Sequence, residues 1–95
     1  MTQINDEYKT TAHQKRLLPL AQMGAGQSGQ VLEVRGGHGL VRRLEAMGIR
    51  PGRNITKINS AFFRGPITLR VDHTMLAIGF GMAQKILVEV EDVSS

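Results

Sequence analysis

The chain alternates between short apolar segments and clusters of glycine, proline and polar residues, and the spacing within each segment predicts its structure. An apolar–polar alternation of period two, typical of half-buried strands, occurs in residues 30–34, 67–71 and 86–90. In the first of these, Leu32 and Val34 are expected to share one face. Residues 17–20 predict a further short strand, and residues 75–78 are expected to return from a turn at 72–74 as half of a hairpin.

One segment has the period of a helix. Its apolar residues fall at i, i+1, i+4 and i+7 and form one stripe: Leu40, Val41, Leu44 and Met47. Gly48 suits the left-handed conformation that closes a helix, and Pro51-Gly52 predicts a type II turn. Before the helix, the three glycines of residues 35–39 predict a loop that permits positive φ.

The next strand, residues 53–59, has an ambiguous register. Ile55 and Ile58 cannot share a face without a β-bulge. Residues 60–66 are expected to form a loop, and residues 79–85 a helix of at most two turns.

Short strands with glycine or proline at the corners and one short helix predict a mainly β fold. We expect a small antiparallel β-barrel with one short inserted α-helix, formed by residues 17–91. Residues 1–16 are polar and show no apolar period, so they predict a flexible N-terminal tail.

The composition narrows the class of protein. Ninety-five residues suit one domain, and the absence of cysteine excludes disulfides and thiolate metal sites. Because there is no apolar N-terminal segment or membrane-length apolar run either, the sequence predicts a cytoplasmic protein. Aromatic residues are few, so aliphatic side chains must fill the core. Four methionines on apolar stripes are expected to contribute to it: Met23, Met47, Met75 and Met82.

Charge is concentrated in the middle of the chain. Residues 35–70 contain eight arginines and lysines against Glu45 alone, a net charge of +7, although the whole chain carries only +4. Such a field favours an acidic protein surface, a nucleic acid or an anionic headgroup. The alternative is that these arginines only solvate the surface of a small domain.

The order of glycines, prolines and apolar residues resembles the FeoA (ferrous iron transport protein A) family over residues 17–90. The resemblance rests on Arg43-Leu44, Met47-Gly48-Ile49, Pro51-Gly52, Gly65-Pro66 and Leu76-Ala77-Ile78-Gly79. It implies an SH3-like barrel and a small cytoplasmic accessory protein of ferrous iron uptake. The partner it implies is FeoB, a membrane permease that carries a GTPase. Phe62-Phe63 and His73 depart from the family pattern.

The predicted partner-binding residues are basic and aromatic. Arg42 and Arg43 lie on the helix face opposite Leu40 and Leu44 and are expected to meet an acidic cytoplasmic surface of the permease. The remaining candidates are Arg50, Arg53, Phe62 and Phe63.

No catalytic motif stands out. The chain lacks a phosphate-binding P-loop, and no serine or cysteine is placed for activation, so we expect no enzyme. We also expect no cofactor, although one metal hypothesis remains. In this hypothesis His38 and His73 approach each other in the fold and form, with Asp72 or Glu33, a weak site for Fe²⁺ or Zn²⁺. Otherwise these histidines are solvated loop residues.

Other interpretations stay open. A small basic barrel could bind nucleic acid, but aromatic residues for base stacking are scarce, so nucleic acid is the less favoured partner. The same barrel resembles the regulatory domain of iron-dependent repressors, although no helix-turn-helix is present. Self-association is a further alternative.

Overall fold

The computed structural model describes residues 13–59 and 64–93. They form six strands: β1 (His13–Pro19), β2 (Ser28–Val34), β3 (Asn54–Asn59), β4 (Ile67–Val71), β5 (Thr74–Ile78) and β6 (Ile86–Val93). The helices in these residues are α1 (His38–Ala46) and α2 (Phe80–Ala83), and a single 3₁₀ turn, Leu20–Gln22, follows β1.

The six strands build one antiparallel sheet in the order β1-β6-β2-β3-β4-β5. This confirms the predicted mainly β, antiparallel, SH3-like fold with an inserted helix. The hydrogen-bonded sheet is open within the described residues, because β1 and β5 are its two edges. The last strand, β6, lies in the interior of the sheet between β1 and β2.

The first strand starts earlier than the sequence predicts. Residues 13–16, assigned above to the flexible tail, belong to β1, and the strand pairs with β6 from His13 opposite Val93 to Pro19 opposite Leu87. An edge strand can leave polar side chains in solvent, so this segment needs no apolar period to join the sheet. The rest of the predicted tail, residues 1–12, lies outside the described residues.

Helix α1 begins at His38, inside the predicted loop, and Gly37 is its N-cap. Of the three glycines there, only Gly36 takes a positive φ. The other turn predictions are confirmed. Gly48 closes the helix with φ 91°, and Gly52 also has φ 91° in a turn that the Arg53 amide closes by donating to the Arg50 carbonyl at 3.1 Å.

The core is aliphatic, as expected. Its buried members are Leu20, Met23, Val31, Leu44, Ile49, Ile55, Ile67, Leu69, Val71, Ile78, Ala83, Ile86, Val88 and Val90. Met47 and Met82 pack against it, but Met75 is 55% exposed, so its assignment to the core was wrong. The prediction that Leu32 and Val34 share one face of β2 was wrong as well. A register shift between Val31 and Glu33 leaves Leu32 exposed.

Gly29 lies where the interior strands β2 and β6 approach each other closely. A β-carbon placed on it would meet the Glu89 carbonyl oxygen of β6 and would lie 2.7 Å from Val88 Cγ1. The absence of a side chain at this position therefore lets β2 and β6 pack together.

Candidate functional site

The candidate partner surface lies on α1. Arg42 and Arg43 are exposed, while Leu44 on the same helix is fully buried and Leu40 packs against the core. Arg50 is also exposed. It lies four residues after the end of α1, directly after the buried Ile49. None of the three arginines has an ion-pair partner among the described residues. We call Arg42, Arg43 and Arg50 the basic face.

The predicted partner-binding residue Arg53 has a different environment. It is half-buried, and its Nη1 donates to Asp72 Oδ2 at 2.5 Å. Asp72 occupies the β4–β5 turn with φ 54°, and its amide donates to the Asn54 carbonyl at 3.1 Å. Arg53 therefore braces the hairpin turn against the start of β3. Phe62 and Phe63 lie outside the described residues.

The folded chain exposes less positive charge than the +7 segment contains. Arg35 pairs with Glu33 at 2.8 Å and Arg53 pairs with Asp72. Lys57 is buried, with only 3% of its surface exposed. Within residues 13–59 and 64–93, the basic residues of this segment that remain exposed without a carboxylate partner are Arg42, Arg43, Arg50, Arg64 and Arg70. Arg64 lies over the Phe80 ring, 5.8 Å from its centroid.

Lys57 is the residue that sequence reasoning missed. Its Nζ donates to the Ala21 carbonyl at 3.1 Å and to the Met23 carbonyl at 2.6 Å. Its backbone binds the same segment, because its amide donates to the Gln27 carbonyl and its carbonyl accepts from the Gly26 amide. Desolvation by burial lowers the pKa of the Lys57 ammonium. A lysine in β3 thus fastens the loop of residues 21–27, which we call the Lys57-bound loop.

A sequence signal for this lysine did exist. The register of β3 shifts between Lys57 and Asn59, which confirms that Ile55 and Ile58 need a bulge to be accommodated. Counting by two from the buried Ile55 places Lys57 on the inner face. The lysine was counted as a surface cation because lysines are seldom buried.

The two histidines of the metal hypothesis are both exposed. His38 is the first residue of α1, and His73 lies in the β4–β5 turn. In the described residues, no three His, Cys, Asp or Glu side chains come together to hold a metal ion. A pairing of the two histidines on a divalent ion stays a prediction.

A groove of about 470 Å³ crosses the sheet from β1 to β3, and none of the predicted site residues lines it in the described part of the chain. Its lining combines one lysine and two carboxylates with amide and hydroxyl groups. These residues are Lys15, Ser28, Gln30, Asn54, Thr56, Glu89 and Glu91. Ser28 and Thr56 share a hydrogen bond of 2.7 Å across β2 and β3. This groove had no signal in the sequence, because its lining comes from four neighbouring strands of the sheet that are distant along the chain.

None of the helices in residues 13–59 and 64–93 combines the length and the apolar character needed to cross a bilayer. An open antiparallel sheet, a nine-residue helix anchored on it and a cluster of exposed arginines define an SH3-like β domain with a basic helical face.

Comparison with known proteins identifies the family. The FeoA domain matches residues 18–90, so the chain belongs to the FeoA family. The chain is 34% identical over 73 residues to a protein of Methanocaldococcus jannaschii named Fe(2+) transport protein A, covering 77% of this chain and 87% of the relative.

Solved structures agree with this assignment. A crystal structure of an iron uptake regulatory protein, FeoA, is 35% identical, with a TM-score of 0.74 over 81% of this chain and all of that one. A manganese-dependent transcriptional repressor shares the fold alone. It is 20% identical and has a TM-score of 0.74 over 81% of this chain and 43% of its own.

Proposed function

We propose that the protein is a cytoplasmic accessory protein of ferrous iron uptake that binds a FeoB-type permease and modulates it. Membership of the FeoA family and the likeness to an Fe(2+) transport protein A support the role in iron uptake. In this role ferrous iron is the cargo of the permease, and the protein itself acts through contact.

The proposed binding site for the permease rests on the basic face. Arg42 and Arg43 extend from a helix that Leu44 anchors in the core, so their positions are set by a rigid element. Because they have no carboxylate partner in the described part of the chain, their charge is available to an acidic surface. Complementary charge accelerates encounter and fixes orientation.

Binding to the isolated cytoplasmic domain of the permease tests the proposal. The variant Arg42→Glu plus Arg43→Glu should raise the dissociation constant about tenfold, equivalent to about 1.4 kcal/mol. The affinity of the wild type should also fall as salt is added, because exposed charges are screened.

The matched control is Lys15→Glu plus Arg70→Glu, which makes the same change in net charge at exposed positions on β1 and β4. We expect this control to bind within about twofold of the wild type, since net charge alone gives little specificity. Equal weakening by both variants would show that only the overall charge matters and would remove the basic face as the site. Binding that neither variant affects would do the same.

A titration with nucleic acid distinguishes binding of the permease from the main alternative, binding of RNA or DNA. If RNA or DNA binds with an affinity that falls steeply with salt, while the permease domain does not bind at all, the permease proposal is wrong.

A further inference from the structure

The two edges of the sheet differ in how they are protected. Edge strand β1 carries Lys15 and Arg16 and ends at Pro19, and charges and proline are the devices that discourage strand addition. Edge strand β5, Thr74–Ile78, has neither a charge nor a proline. It pairs with β4 alone among the described strands. Among the described strands, β1 is therefore protected against the addition of a further strand and β5 is not.

The register of the β4–β5 hairpin shows which groups face outward. A two-residue turn joins Val71 to Thr74, and Leu69 lies opposite Leu76. In an antiparallel hairpin with such a turn, the flanking pair exchanges hydrogen bonds, and every second pair does so. The amide and carbonyl groups of Met75 and Ala77 then point away from β4. The side chains of both residues are exposed as well.

We propose that the free edge of β5 joins two copies of this chain as an antiparallel β5–β5 pair around a two-fold axis at Leu76. In this register Met75 of each copy lies opposite Ala77 of the other, and the outward amide and carbonyl groups of both residues form four intermolecular hydrogen bonds. The surface is separate from the basic face, so this inference does not rest on the proposed function.

The edge of β5 is complementary to itself, which identifies a second copy of this chain as its partner. The strand contains no charged side chain, so a two-fold axis brings no like charges together along it. At each end, the turn that carries Asp72 lies beside Gly79 and Phe80 of the other copy. Arg64 lies over that Phe80 ring, so a cation of one copy is near a carboxylate of the other. A pair of five-residue strands buries less area than stable interfaces do, so we expect a weak dimer, with a dissociation constant of about 10–500 µM.

Sedimentation of the full chain from about 5 µM to 1 mM measures the equilibrium, and Met75→Lys is the test variant. A lysine within an edge strand discourages pairing, and Met75 lies next to the two-fold axis, so we expect the dissociation constant to rise at least about tenfold. The matched control is Leu17→Lys, at a 53% exposed position on the other edge strand, which should dimerise as the wild type does.

Amide exchange of the wild type provides a second readout without any substitution. Raising the protein concentration should slow exchange at Met75 and Ala77 selectively, because the amides of Thr74, Leu76 and Ile78 already bind β4. A monomer throughout the concentration range would overturn the proposal. Dissociation by Leu17→Lys rather than Met75→Lys would overturn it too, as would a dimer whose β5 amides exchange unchanged.

Discussion

Replacing Lys57 by methionine tests the role of the buried ammonium. Methionine has a similar length but cannot donate a hydrogen bond, so the carbonyls of Ala21 and Met23 lose their donor. Neither carbonyl has another partner in the described structure. A buried acceptor left unsatisfied costs about 1–3 kcal/mol.

Two opposing contributions set the net effect. The bond to Met23 is buried and the bond to Ala21 only partly so, and the two unsatisfied carbonyls therefore destabilise the fold by about 2–5 kcal/mol in total. Burial of the thioether, together with relief from desolvating a charge, returns about 1–3 kcal/mol. The expected net loss of unfolding free energy is about 2 kcal/mol, which would lower the melting temperature by about 8–16 °C in a domain of this size.

Urea unfolding at neutral pH measures this loss for Lys57→Met. Lys85→Met is the control, because Lys85 is exposed and its substitution should change the unfolding free energy by less than about 0.5 kcal/mol. Amide exchange at Gly26 should accelerate in the Lys57 variant as the Lys57-bound loop loosens. An unfolding free energy equal to or above that of the wild type would refute the reasoning, because desolvation would then outweigh the two hydrogen bonds.

The remaining predictions concern pH and packing. The pKa of Lys57 in the folded protein lies below its usual 10.5. At pH values between these two pKa values, the unfolded chain therefore binds more protons than the folded protein does. The unfolding free energy of the wild type should accordingly rise relative to that of Lys57→Met as pH increases toward 10.5. Parallel denaturation curves at several alkaline pH values measure this, and a falling difference would contradict it. Gly29→Ala should destabilise by at least about 2 kcal/mol, whereas Gly24→Ala, which meets nothing within 4 Å, should change little in the same urea assay. Similar losses in both variants would contradict the close approach of β2 and β6.

The sequence predicted those elements whose local chemistry decides their conformation. Gly48 and Gly52 adopt the positive φ expected at a helix end and in a type II turn, because other residues are strained there. The hairpin after Val71 and the short helix after Gly79 were likewise predicted, although the predicted turn of residues 72–74 is one residue longer than the observed one, because Thr74 already pairs with Val71.

The features that long-range contacts decide were harder to predict. Residues 13–16 form a strand because β6 lies beside them, and nothing in their own pattern indicates it. Met75 sits in an apolar run but points outward, since only one face of β5 covers the core.

The candidate site was predicted in part. The helical period placed Arg42 and Arg43 opposite Leu44, and both are exposed. The carboxylate partner of Arg53 could not be predicted, because Asp72 is distant in sequence and reaches it only through the pairing of β3 with β4. Whether these residues contact a partner stays a prediction.

The position of β6 has a consequence for synthesis of the chain on the ribosome. β1 and β2 have β6 as their common neighbour, so the first described strand must wait for the last one to be translated. Until then β1 has no partner, and the β2–β3–β4–β5 part of the sheet exposes an additional edge along β2. Folding of this domain is therefore completed only after β6 has been synthesised.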